Sequence, residues 1–249
     1  MREKLLLTGI SKQFSTDRDL RVTAFKDIDL TIMDGEFVCI LGPTGCGKTT
    51  LLRIMAGLET PTEGSLRIDT VPVASVSEAC TLVFQQYSLF PWLSVSQNVA
   101  FPLELKGYTK HERRKKAREL LDHVGLGDFE DARPYELSGG MQQRAAIARA
   151  LAYDPDILLM DEPFGALDEK TRRQLQILLL DIWRERLKTV VFVTHNIDEA
   201  IILADRIVVM ASGPGRIVEH IDVPLNRPRD RVDKSFSSLY TRLRALLEL

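Results

Sequence analysis

Gly42-Pro43-Thr44-Gly45-Cys46-Gly47-Lys48-Thr49-Thr50 fits the phosphate-loop pattern G-x-x-x-x-G-K-[ST] at every fixed position. Before it, Glu36-Phe37-Val38-Cys39-Ile40-Leu41 reads as a buried strand. After it, Leu51-Leu52-Arg53-Ile54-Met55-Ala56 has helical period and ends at Gly57. Strand, glycine loop and helix together make a triphosphate cradle. Glycines let successive N–H groups curl inward, and a helix N-terminus adds unpaired donors and partial positive charge. Lys48 is placed to reach the β- and γ-phosphates, and Thr49 to set its hydroxyl on Mg²⁺.

Working outward on the N-terminal side, Lys4–Ile10, Val22–Phe25 and Ile28–Ile32 are apolar runs parted by polar turns, and Asp34-Gly35 is a hairpin signal. A small antiparallel sheet ahead of the phosphate loop follows, with Phe14 inside it. On the other side, Ser65–Asp69 and Ala79–Phe84 read as strands, and Gln85 follows the second. The segment Gln85-Gln86-Tyr87-Ser88-Leu89-Phe90-Pro91-Trp92 reads as a loop carrying exposed aromatics.

The period turns helical from Val95 to Val124. Tyr108–Val124 is a basic amphipathic stretch, read as a solvated face or as a contact for lipid headgroups or an acidic partner. Ser138 then stands before Gly139-Gly140-Met141-Gln142-Gln143-Arg144 and the helical run Ala145–Ala152. It can cap that helix, or open a second anion site with the Gly139 and Gly140 amides.

Asp156–Asp161 is an apolar strand ending in Asp161-Glu162-Pro163. A carboxylate at a strand end beside a phosphate loop can hold Mg²⁺, and Glu162 is placed to take a proton from water. Gly165-Ala166-Leu167-Asp168 is a turn with Asp168 as N-cap of a helix whose face carries Leu175, Leu178, Leu179 and Ile182. His195 directly follows the strand Thr189–Thr194, at the sheet edge where open α/β folds bind ligands. Strands Arg206–Ala211 and Arg216–Ile221, a Pro-rich link and a helix with Val232, Phe236, Leu239, Tyr240, Leu243, Leu246 and Leu247 complete the chain.

Composition sets bounds. The 249 residues suffice for one large domain or two small ones, and 45% hydrophobic with 27% charged residues is ordinary for a globular protein. A net charge of −2 supplies no global field for nucleic acid. Three cysteines without a CxxC pair point to reduced thiols. Cys46 lies in the phosphate loop, where a positive field would lower its pKa and make it a target for thiol reagents that block nucleotide. The N-terminus lacks a signal-peptide core, and no uncharged run reaches the roughly 20 residues of a membrane span, so work at a membrane needs a partner.

In this order the motifs resemble the ATP-binding cassette family, the ATPase subunits of ABC transporters, along essentially the whole chain. The matching segments are Gly42–Thr50 (Walker A), Gln85 (Q-loop), Leu137–Gln143 (signature), Ile157–Glu162 (Walker B), Gly165–Asp168 (D-loop) and His195 (switch histidine). The resemblance implies an α/β fold, a P-loop NTPase core of mostly parallel sheet flanked by helices, with an N-terminal antiparallel β subdomain and a helical signature subdomain. It divides one cassette into a core at about residues 1–85 and 154–222, a helical part at 86–153, and a linker and helix at 223–249.

It also implies ATP and Mg²⁺ as ligands. Gly42, Pro43, Thr44, Gly45, Cys46, Gly47, Lys48, Thr49 and Thr50 would hold the phosphates, Phe14 would stack on adenine, and Thr49, Gln85 and Asp161 would serve the metal. Glu162 would be the general base, with Lys48, Gln85 and His195 beside it. Ser138, Gly139, Gly140 and Asp168 would complete the site across a head-to-tail dimer of two copies.

Met141, Thr44 and Gly165 depart from the commonest family residues. The Met-type signature, Leu89–Val95 and Val223–Arg229 are similar to the nitrate, alkanesulfonate and taurine importer subgroup. That subgroup implies membrane permease partners, an extracytoplasmic substrate-binding protein and a peripheral place on the cytoplasmic face of the membrane. A soluble cassette ATPase, such as an iron–sulfur assembly factor, is the competing reading.

Overall fold

The computed structural model describes residues 2–15, 21–165, 167–186 and 188–248. Two long antiparallel strands come first, β1 (Glu3–Ser15) and β2 (Arg21–Met33). The runs Val22–Phe25 and Ile28–Ile32, read as separate strands, are one. Asp27 absorbs the irregularity between them at φ 54°, and the register with β1 shifts there. Asp34-Gly35 is not a hairpin. The chain turns there into a different sheet as β3 (Phe37–Leu41), because an all-apolar strand is stable only with both faces covered.

The helix α1 (Lys48–Met55) follows the phosphate loop, and Gly57 stops it at φ 70°. The chain then returns to the first sheet as β4 (Glu63–Ile68) and β5 (Val71–Pro72), giving the antiparallel order β2-β1-β4-β5. After β6 (Cys80–Val83) comes a helical stretch: α2 (Val95–Leu105), α3 (Lys110–His123) and α4 (Gly139–Ala152). Ser94 with Gln97, and Thr109 with Glu112, form capping boxes for the first two. The third starts at Gly139, earlier than the apolar run at Ala145 suggests, since the Ser138 cap carries both glycines into the first turn.

The remainder alternates: β7 (Ile157–Asp161), α5 (Glu169–Arg186), β8 (Thr189–Thr194), α6 (Ile197–Leu203), β9 (Arg206–Ala211), β10 (Arg216–Asp222) and α7 (Lys234–Leu247). The second sheet runs β10-β9-β3-β8-β7-β6, parallel except for β10. Val232 precedes the last helix and is 84% exposed, so the packed face of α7 begins at Phe236.

β3 shows how the layers are built. Phe37, Cys39 and Leu41 pack with residues of α4, α5, α6 and α7. Val38 and Ile40 pack with the antiparallel sheet and α1. A third cluster, with Val99, Leu121 and Ala148 at its centre, joins α2, α3 and α4. The parallel strands β3, β7, β8 and β6 therefore end on one edge, carrying Gly42, Glu162, His195 and Gln85 just beyond their termini. Among the described residues no helix is long and apolar enough to cross a membrane.

Candidate active site

Gly47 is the N-cap of α1 at φ 96°, and a β-carbon there would stand 2.7 Å from the Phe25 ring. Only glycine fits both the backbone and the space. Lys48 is 4% exposed, and its ammonium donates to the Gly42 carbonyl at 2.8 Å and the Pro43 carbonyl at 2.9 Å. It thus braces the loop from inside. Thr49 donates its hydroxyl to Asp161 Oδ1 at 3.0 Å, joining the start of α1 to the end of β7. Burial raises the Asp161 carboxyl above the usual range, and the Thr49 bond opposes that shift.

Cys46 corrects an expectation. Its side chain is fully buried, with the sulfur packed against Gly42. Burial pushes its thiol up, and the Lys48 charge only opposes this. Cys39 and Cys80 are buried too, the latter pushed up to about 12, again chiefly by burial. Alkylation of the native protein at neutral pH should leave all three thiols intact over a time in which denatured protein takes three labels. Intact mass reads the outcome, and one rapid label on Cys46 in the native state would contradict the burial.

Glu162 follows β7 at φ 42°, its N–H bonded to the Val193 carbonyl at 3.0 Å. The turn points its carboxyl between two partners. Oε2 is 2.8 Å from His195 Nδ1, and Oε1 is 3.7 Å from Lys48 Nζ. His195 is half-exposed. The Gln85 amide reaches the turn at Gly165, whose N–H is bonded to the Glu162 carbonyl at 3.2 Å. The end of β6 is thereby brought to the end of β7. Ala166 of the Gly165–Asp168 turn lies outside the described residues.

The remaining candidates stand apart within one chain. Ser138 accepts from the Met141 N–H at 3.3 Å and, among the described residues, makes no bond to Gly42–Thr50. The Tyr87 hydroxyl packs against Gly139, and the Thr171 methyl against Gly140. Asp168 caps α5, accepting from the Thr171 N–H at 3.0 Å and its hydroxyl at 2.6 Å, and the hydroxyl bond lowers its carboxyl. Phe14, near the end of β1, is 40% exposed with Lys12 Nζ 5.0 Å from its ring centre, so it does not pack in the core.

Sequence reading missed Gly215. It looks like part of a Gly-Pro-Gly turn, yet a β-carbon there would stand 2.1 Å from the Cys46 carbonyl. It backs the phosphate loop across a contact that no local pattern announces.

Residues 25–165 match the family model described as ABC transporter. The chain belongs to the ABC transporter family. Within that family it is 52% identical over 236 residues, 95% of this chain and 88% of the relative, to an uncharacterised ABC transporter ATP-binding protein of Methanocaldococcus jannaschii. It is 46% identical to a taurine import ATP-binding protein of Roseobacter denitrificans, covering 88% of this chain and 82% of that one. It is equally 46% identical to an aliphatic sulfonates import ATP-binding protein of Bacillus thuringiensis, covering 95% and 93%.

Among solved structures, a dimeric ATP-binding cassette in a post-hydrolysis state bound to ADP and Pi is similar at TM-score 0.79. It is 36% identical over 89% of this chain and 100% of that one. As a member of the family, the chain is an ABC ATPase, and it hydrolyses ATP.

Proposed function

We propose that this chain is the ATPase subunit of an importer for a small anion such as nitrate, a sulfonate or taurine. It works as a head-to-tail dimer beneath separate permease subunits, on the cytoplasmic face of the membrane, with substrate delivered by an extracytoplasmic binding protein. The observation that carries this reading is the likeness to taurine and sulfonate import relatives along nearly the whole chain. An apolar groove supports it. The groove measures about 520 Å³ beside the Gln85 loop and is lined by Leu58, Phe84, Tyr87, Phe90, Phe101 and Leu105. Leu58, Phe84 and Leu105 are exposed, and a short permease helix would cover them.

The chemistry follows from the residues. The loop amides and Lys48 bind the β- and γ-phosphates of ATP. The Thr49 hydroxyl and the buried Asp161 carboxylate fit a magnesium ion, because a dication beside Asp161 relieves the burial that disfavours its charge. Magnesium bound there would offset phosphate charge. Gln85 stands at the turn beyond Glu162, and from there it would serve the magnesium ion and the attacking water. Glu162 takes the proton of the attacking water, and His195 fixes the carboxylate by its 2.8 Å contact.

Ser138, Gly139 and Gly140 open a helix N-terminus with no acidic residue in its first turn. In a second copy they would close on the γ-phosphate, as Phe14 closes on the adenine from the first. The helical part at 86–153 then carries the signature while the core holds the nucleotide.

The test is affinity purification of the chain from detergent-solubilised membranes of its host. A multi-span permease should co-purify at about one permease subunit per ATPase subunit, as a symmetric assembly requires. Recovery with soluble proteins alone would leave the ATPase standing and overturn import.

A further inference from the structure

Glu199 is a buried carboxyl that the hydrolytic scheme leaves unused. It sits in the first turn of α6 and is 4% exposed. Its Oε2 accepts from the Thr194 hydroxyl at 2.6 Å, and its Oε1 lies 3.5 Å from Arg172 Nε. Burial raises this carboxyl, against the pull of Thr194 and Arg172.

Both partners lead back to the active site. Thr194 Oγ1 also accepts from the Asn196 N–H at 3.0 Å, and Asn196 Oδ1 accepts from the Glu199 N–H at 3.2 Å. The residues on either side of His195 are therefore tied to Glu199. Arg172 donates from Nη2 to the Leu167 carbonyl at 2.8 Å, which fixes the turn after Glu162. A cavity of about 40 Å³ lies between Glu162, His195, Arg172 and Glu199. Among the described residues, Arg172 Nε is buried there without a hydrogen-bond partner, and it lies at ion-pair distance from Glu199.

We propose that Glu199 is a positioning residue for hydrolysis. It holds the His195 loop and the Leu167 turn in register across this cavity, and so sets the contact between His195 and Glu162. The proposal rests on the reading of Glu162 and His195 as the hydrolytic pair. The phosphate loop meets this network through its backbone, the Gly42 N–H donating to the Thr194 carbonyl at 3.4 Å, and not through the Glu199 carboxylate, so loss of that charge should act on kcat more than on nucleotide binding.

The experiment is steady-state Mg-ATP hydrolysis by the purified full chain. Glu199→Gln keeps an acceptor for Thr194 and loses the charge that holds Arg172. It should lower kcat about tenfold with KM for ATP changed less than about twofold. Arg172→Gln breaks the same link from the other side and should show the same split, which serves if the first variant does not fold. Added to His195→Ala, Glu199→Gln should cost nothing further, because its effect passes through His195.

Unchanged kcat, a KM that rises in step, or losses that multiply in the double variant would overturn the proposal. A Glu162→Gln control separates the two levels. If that control turns over normally, the hydrolytic pair itself is misassigned. If it is inactive while Glu199→Gln is normal, only the positioning role falls.

Discussion

Glu162→Gln should bind ATP and fail to hydrolyse it, with kcat down by about 10²–10⁴, the range for loss of a positioned general base. The amide has the shape of the carboxylate and can keep a hydrogen bond to His195, now 2.8 Å from Oε2. It cannot accept the proton of the attacking water. Affinity for ATP should hold or rise, because the variant removes a negative charge 3.7 Å from the Lys48 ammonium. With chemistry blocked, nucleotide should stay trapped between two copies. Gel filtration with and without Mg-ATP reads this directly, and phosphate release measures the rate. A monomer under both conditions would sink the head-to-tail site for the isolated subunit. Turnover within threefold of the unmodified chain, on the order of experimental scatter between preparations, would remove Glu162 from the role of base.

What could be read from sequence was what is written locally. Gly42–Thr50 declares its backbone through glycine positions and its chemistry through Lys48-Thr49. The apolar runs Phe37–Leu41, Ile157–Asp161 and Thr189–Thr194 mark buried parallel strands, and the residue after each, Gly42, Glu162 or His195, falls on the ligand edge. Errors arose where a distant partner decides. Asp34-Gly35 has the composition of a hairpin turn, yet β3 pairs with β8 and β9, each more than a hundred residues on.

Cys46 sits two residues from the Lys48 ammonium, but the same tight curl that exposes the amides turns its sulfur inward. Gly215 and Glu199 act through contacts across the fold, and neither differs locally from a turn glycine or a helix glutamate. Ser138 and Gly140 show the limit in another form. Their motif is plain, yet within one chain the Ser138 hydroxyl accepts only from its own Met141 N–H among the described residues, and the role proposed for the pair needs a second copy.

Lys48→Ala should weaken Mg-ATP binding by about 10²–10³-fold while the nucleotide-free fold loses little. The ammonium is almost fully buried, with both carbonyl bonds directed at the loop it braces and a carboxylate 3.7 Å away. For the triphosphate this is a desolvated positive charge already paid for by folding, and a charged hydrogen-bond partner lost from such a site costs about 3–4 kcal/mol. At 1.4 kcal/mol per tenfold that is about 10²–10³ in Kd.

Without nucleotide the consequence is smaller. The carbonyls of Gly42 and Pro43 lose a donor, and water entering the space vacated by the side chain through the part-buried Pro43 side can replace it. Glu162 keeps His195. The two effects separate in thermal unfolding. At a fixed ATP concentration about 100 times the original Kd, the unmodified chain gains about 2.7 kcal/mol from ligand. A variant weakened 100-fold gains about 0.4 kcal/mol under the same conditions. Near-equal melting without ATP and a lost shift with it is the expected pair of curves. Titration calorimetry giving a Kd within about threefold of the unmodified chain, well under 1 kcal/mol, would show that the loop amides alone hold the phosphates and that the Lys48 contact is a brace for the loop.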